Sequence, residues 1–227
     1  MAHNIENSKN TLTALLQKVQ DQAARSADFL APTNNLQKVT SENGAPGLVI
    51  EASRGVPTKH FKINDTAFGQ MATHAGIDTR TARRLQLGYS KQYDNLLNAI
   101  WDKEATVRMI RTHLNIEKEA GTVGDDGVVR AWVSDKFKTF DNSNLLESIL
   151  PPLMEKNLQV VSADLSEKRM YLRLKSLDQL GTGANVGDHM ANGIGFGNSE
   201  VGAGSVNVHQ IAWTLACLNG MQTQNKT

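Results

Sequence analysis

Residues 128–157, VVRAWVSDKFKTFDNSNLLESILPPLMEKN, change from a two-residue to a helical hydrophobic period within a dozen positions. That change constrains the fold more than any other feature of the chain, because it prescribes a strand, a turn and a helix. In the strand, Val129, Ala131, Val133 and Phe137 fall on one face, and Arg130, Trp132, Ser134, Lys136 and Lys138 on the other. The first face suits a core. The second, cationic with one aromatic, suits a nucleic-acid strand lying on a sheet. Charged outer faces are also normal on half-buried sheets, so for this strand alone a solvated face is the simpler explanation.

The helix that follows has Asp141, Asn142, Ser143 and Asn144 as candidate caps, and Asn144 with Glu147 approaches a capping box. Leu145, Leu146, Ile149, Leu150 and Leu153 form its apolar stripe, and Pro151-Pro152 should kink or break it. Next, LQVVSADL and RMYLRLKS, joined by Ser166-Glu167-Lys168, read as a hairpin. Its second strand repeats the earlier division: Met170, Leu172 and Leu174 against Arg169, Tyr171, Arg173 and Lys175. If both strands share one sheet packed on the Leu145 helix, their cationic faces coincide. Arg130, Lys136, Lys138, Arg169, Arg173 and Lys175 would then neutralise phosphates, and Trp132 and Tyr171 would stack on bases.

Upstream, residues 1–10 are polar and read as loose. Leu12, Leu15, Leu16, Val19 and Ala23 then form a helical stripe, packed either on its own domain or on a neighbouring subunit. Ala31–Gly47 is rich in Pro, Asn, Ser and Gly and reads as a linker or surface loop. Two short strands, Leu48–Ile50 and His60–Ile63, precede a helical middle at about 64–104. These readings give residues 1–47 as an N-terminal helical arm and linker. Residues 48–227 form an α+β core, an antiparallel sheet with a helix packed across it.

Within the helical middle, QMATHAGIDTRTARRLQ resembles a helix-turn-helix: Ala72, Gly76 four residues on, Ile77, then Arg80, Arg83 and Arg84. Residues 70–87 are therefore a rival site, for duplex DNA. Leu177–Asp188 reads as a loop, and the glycines from Gly193 to Gly204 mark bulges or close backbone approach rather than a phosphate loop. Val206–Leu218 fits a helix or a strand equally.

With 24 Lys plus Arg against 23 Asp plus Glu, the net charge of +1 names no partner, so nucleic-acid binding requires clustered cations. One cysteine, Cys217, excludes an internal disulfide and Cys-based zinc sites, and fits a reducing cytoplasm. MAHNIENSKN reads as no secretory signal, and no run approaches the roughly 18 apolar residues of a membrane span. The histidines are scattered. Asp135, Asp141, Asp188 and His189 are a conceivable metal set that nothing in their spacing specifies. No GxSxG elbow, HExxH or P-loop occurs, so neither an enzyme nor a bound cofactor is expected.

Arg130–Asn142 (RA-x-x-SD-x-F-x-x-x-DN), Gly193–Gly202 (ending NSEVG) and Cys217–Gly220 (C-x-NG) resemble a phage- and plasmid-borne domain family of unknown function, over roughly residues 45–221. Members usually continue past the NG turn with a basic helical segment. The resemblance implies a mobile-element setting in a host cytoplasm. By fold analogy the layout is similar to the phage single-strand annealing proteins of the Redβ, RecT and Erf group. That analogy implies a homo-oligomeric ring or filament that binds and anneals single-stranded DNA in recombination, with a phage exonuclease as a further partner. A structural or host-interaction protein without nucleic-acid affinity is the remaining class.

Overall fold

The computed structural model describes residues 2–52, 57–115, 126–177, 189–215 and 222–225. Among them are five helices and two sheets in an α+β arrangement. The chain divides into residues 24–138 and a second unit made of residues 1–23 with 139–227. This differs from the expected boundary at residue 47.

The 24–138 unit is built on a six-stranded sheet. Its strands are β1 (Ser26–Pro32), β2 (Leu36–Thr40), β3 (Pro46–Ile50), β4 (Lys59–Ile63), β5 (Val107–Leu114) and β6 (Gly127–Ser134), in spatial order β1-β5-β6-β4-β3-β2. All neighbours are antiparallel except β4 and β6. Three helices connect β4 to β5: α2 (Asp65–His74), α3 (Thr79–Gly88) and α4 (Ser90–Glu104). Phe61, Ile63, Ile110, Val129 and Trp132 from the sheet pack against Phe68, Met71, Tyr93, Leu97 and Trp101 from the helices. Asn64, rather than Asp65, caps α2 by accepting the Ala67 N–H at 2.9 Å.

The expected linker at 31–47 is instead sheet. Its polar composition conceals a buried cation, Lys38, which is 1% exposed on β2. Lys38 Nζ lies 2.7 Å from Asp94 Oδ1, donates to Gln86 Oε1 at 2.9 Å, and sits over the Tyr93 ring. A fully partnered lysine tolerates burial that an isolated one does not. Even so, burial depresses its pKa against the opposing pull of Asp94.

The second unit packs α1 (Ala2–Arg25, its first 22 residues in this unit) and α5 (Asn142–Met154) with a five-stranded antiparallel sheet. Its strands are β7 (Leu158–Leu165), β8 (Met170–Ser176), β9 (His189–Asn198), β10 (Asn207–Leu215) and β11 (Gln222–Asn225), in order β11-β10-β9-β8-β7. Leu15 and Val19 of α1 join Leu145, Leu146, Met170, Leu172, Leu174 and Phe196 in one core. The α1 stripe is thus used within its own chain, and the helix begins well before Thr11. Asp141 caps α5, with Asn144 as the reciprocal member of the box. The helix runs through Pro151 and Pro152 to Met154, although both prolines lack the N–H that would donate to the carbonyls of Glu147 and Ser148. The expected hairpin is β7–β8, and the ambiguous 206–218 segment contains strand β10. Most of the expected 177–188 loop, and Cys217, lie outside the described residues.

Candidate nucleic-acid interface

The strand that gave the first cationic pattern, β6, does not present it. Arg111 pairs with Ala131 and Thr112 with Val129, which leaves Arg130 with no residue opposite. This is a β-bulge, and one extra residue reverses the alternation on either side of it. Val129 and Trp132, three positions apart, therefore reach the same core. Trp132 is 3% exposed and stacks on Trp101, with ring centroids 4.8 Å apart and planes at 20°. Its backbone N–H donates to Gln70 Oε1 at 2.8 Å. Arg130 is 6% exposed. Burial, helped by Arg130, Arg25 and Arg111, holds the His113 pKa down to about 3. Arg130 and Trp132 are thus inside the protein, a correction to the expected outer face. Strand β6 ends at Ser134, so Lys136 and Lys138 follow it in an exposed turn and extended segment.

The second expected coincidence also fails. Strand β6 belongs to the six-stranded sheet and β8 to the five-stranded one, in different units. The two cationic patterns do not share a sheet face.

Strand β8 behaves as its alternation predicts. Met170, Leu172 and Leu174 enter the core, and Tyr171, Arg173 and Lys175 lie half-buried on the other face. Arg169, by contrast, serves structure. Its Nε and Nη2 donate to the Ala203 carbonyl and its Nη1 bonds Tyr171 Oη at 3.1 Å. Arg173 and Lys175 form no ion pair among the described residues.

The register of β9 and β10 extends this outer face. Tyr171 lies opposite Gly197, Arg173 opposite Gly195 and Lys175 opposite Gly193. Beyond that lane of glycines stand Asn207, His209 and Ile211. The glycines are needed there. A Cβ on Gly195 would collide with the His209 ring, and one on Gly197 would lie 2.8 Å from Asn207 Nδ2. Both β10 side chains therefore lean back across β9 toward β8. The result is a face with Tyr171, Arg173 and Lys175 along one side and Asn207 and His209 along the other, ending beyond Gly193 at the buried Ile211 and Ala191. Asn207 and His209 escaped the sequence reading. The signal for them was the match between the 193/195/197 glycine spacing and the Arg173 face.

The NSEVG motif is a lock rather than part of this surface. Asn198 Nδ2 donates to the Phe140 carbonyl at 2.8 Å and to Asn142 Oδ1 at 3.0 Å. Glu200 Oε1 accepts the Asn142 N–H at 2.7 Å, satisfying a first-turn donor of α5. Ser199 Oγ donates to the Lys168 carbonyl at 2.7 Å and accepts from Ala203 N. The motif thus ties the end of β9 to the start of α5 and to the β7–β8 turn.

The rival segment forms two helices, α2 and α3, joined by a short turn. Gly76 adopts φ +71° after α2, and the Ile77 N–H donates back to the Ala72 carbonyl at 2.9 Å. Asp78 then caps α3, accepting the Thr81 N–H. Arg80, Arg83 and Arg84 are exposed, and Arg83 lies 3.3 Å from Asp65.

Among the described residues no three His, Cys, Asp or Glu side chains converge as a metal set, and no helix is long and apolar enough to cross a membrane. No protein-family model, curated protein or solved structure matches the chain.

Proposed function

We propose that the chain binds single-stranded DNA on the outer face of its five-stranded sheet and, as a homo-oligomer, promotes annealing of complementary strands in phage or plasmid recombination. The observation that carries this reading is the alignment of Tyr171, Arg173 and Lys175 across the glycine lane from Asn207 and His209. Arg173 and Lys175 supply phosphate contacts and Tyr171 a ring for a base to stack on. The Asn207 and His209 side chains, which lie over Gly197 and Gly195, add polar groups beside that row. Annealing asks for no catalytic group, since the phosphates are held and the base edges stay free. Lys136 and Lys138 extend the positive surface only if the assembled protein brings them to the same strand.

The test is binding of a labelled single-stranded oligonucleotide as salt is varied. A steep salt dependence supports phosphate contact, and Arg173→Ala with Lys175→Ala should shallow the log–log slope by about 1.4, at roughly 0.7 per lost contact. A flat salt response removes the reading.

A second reading is favoured by one observation: exposed Arg80 and Arg84 on a helix that follows a left-handed glycine turn. In that case α3 enters a duplex major groove. Preference for duplex, abolished by Arg80→Ala with Arg84→Ala and untouched by the β8 variants, selects it. Failure to bind either form leaves a structural or host-interaction role.

A further inference from the structure

One row crosses four strands on the outer face of the five-stranded sheet. Ser162 of β7 lies opposite Arg173 of β8, Arg173 opposite Gly195 of β9, and Gly195 opposite His209 of β10. Ser162, Arg173 and His209 are all half-buried. Gly195 supplies no side chain, and the His209 ring has taken the space. A Cβ on Gly195 would meet Nε2 and Cε1 before any other atom of that ring. Neighbouring strands lie about 4.8 Å apart, so the ring covers one of the two spacings that separate β10 from β8. The edge bearing Nε2 is thus carried over β9, to the Arg173 side of its own strand.

The charges nearest that edge have one sign. Arg173 faces it across Gly195, with Lys175 one row along on β8. Tyr171 is one row along in the other direction, its Oη bonded to Arg169. Strand β9 contributes glycine to all three rows, and the β10 neighbours on this face are Asn207 and Ile211. Strand β11 pairs with β10 only from Ala212 onward. The acid of this face is Asp164 of β7, opposite Tyr171, three strands from His209 and one row away. Among the described residues no carboxylate lies within ion-pair distance of His209.

Histidine is the side chain whose charge changes between pH 5 and 8. Its neutral ring donates through one nitrogen, its charged ring through both. Protonation of His209 adds a positive charge to a face that already holds Arg173 and Lys175, and what answers it is an anion lying between His209 and Arg173. An anion held there favours the charged ring, and by linkage the charged ring favours the anion.

We infer that His209 is a phosphate contact of this face, sharing one strand phosphate with Arg173, so that single-strand binding draws a proton onto its ring and tightens as pH falls. The inference rests on the single-strand reading above.

The test is binding of an oligothymidine with a 5′-hydroxyl and a pH-insensitive dye at about pH 6 and pH 8, at constant ionic strength, with folding followed by circular dichroism. Neither its phosphodiesters nor its bases titrate in that interval. Affinity should rise about tenfold from the higher pH to the lower, the gain of one charged hydrogen bond. The log–log salt slope should steepen by about 0.7, for one further phosphate contact. His209→Gln keeps a polar side chain that does not titrate, and should bind equally at both pH values with near the parent's pH 8 affinity. His209→Lys, charged throughout, should reach at pH 8 the affinity and slope of the parent at pH 6, a rescue that a structural role for the ring does not produce. It also decides the matter where His209→Gln fails to fold. Parent affinity equal at both pH values, with its salt dependence intact, overturns the inference and leaves the single-strand reading standing. A pH response that persists in His209→Gln does the same. No binding, or a flat salt response at both pH values, overturns the two together.

Discussion

Glu200 holds the first amide proton of α5, that of Asn142, at 2.7 Å, while Asn198 holds the side chain of the same Asn142 at 3.0 Å. The two halves of the sequence motif, Asp141-Asn142 and Asn198-Ser199-Glu200, are thus complementary parts of one buried joint, 56 to 58 residues apart. A carboxylate at a helix N-terminus also opposes the positive end of the helix dipole. Glu200→Ala should destabilise the chain by about 1.5–3 kcal/mol, and Glu200→Gln, which keeps an acceptor, by less. Urea denaturation of the two variants checks the order.

A pH dependence follows from His113. Its folded pKa is about 3, against an ordinary value of 6.5, first because it is buried and then because Arg130, Arg25 and Arg111 surround it. Between these values the unfolded chain takes up a proton that the folded chain refuses. Stability should therefore be complete above pH 6.5 and fall progressively from there toward pH 3. His74 is also depressed, mainly by burial, and adds a loss of the same sign. Melting temperatures from pH 7.5 to 4.5 should fall less for His113→Gln than for the parent, with a residual slope from His74.

Lys38 and Asp94 form a buried pair that should be costly to halve and cheap to replace. Lys38→Met strands Asp94 and Gln86 and should cost about 3–5 kcal/mol. Adding Asp94→Leu should return a substantial part of that loss, since an apolar pair of similar volume avoids desolvation. Chemical denaturation of Lys38→Met, of Asp94→Leu alone and of the double variant forms the cycle.

Gly195→Ala tests the glycine lane. Its methyl group must displace the His209 ring, at about 1–3 kcal/mol if the neighbours resist. Removing the obstruction with His209→Ala should relieve most of the strain. Thermal unfolding reads the stability, and the same proteins report in the oligonucleotide assay whether the displaced ring alters binding.

The hairpin β7–β8, the α5 stripe and the three middle helices were legible in the sequence because each local period survives intact in the fold. Strand β6 was legible as a strand but its faces were not, because its bulge at Arg130 carries no glycine or proline to announce it, and a shift of one residue exchanges the two faces. Strand β2 was hidden by Lys38, whose partners Asp94 and Gln86 come from helices some fifty residues on. Of the candidate surface, the Tyr171, Arg173 and Lys175 side was readable. The opposite side was not, since pairing of β10 with β9 is a matter of register rather than composition.

The second unit is interrupted: α1 joins a core whose remaining members begin only after residue 138. At about 5–20 residues per second, a ribosome spends on the order of ten seconds making the intervening segment. Throughout that interval Leu15 and Val19 have no finished partner to cover them, while the inserted unit can complete its own sheet first. The nascent N-terminal helix therefore keeps its apolar stripe uncovered until α5, β8 and β9 have been made.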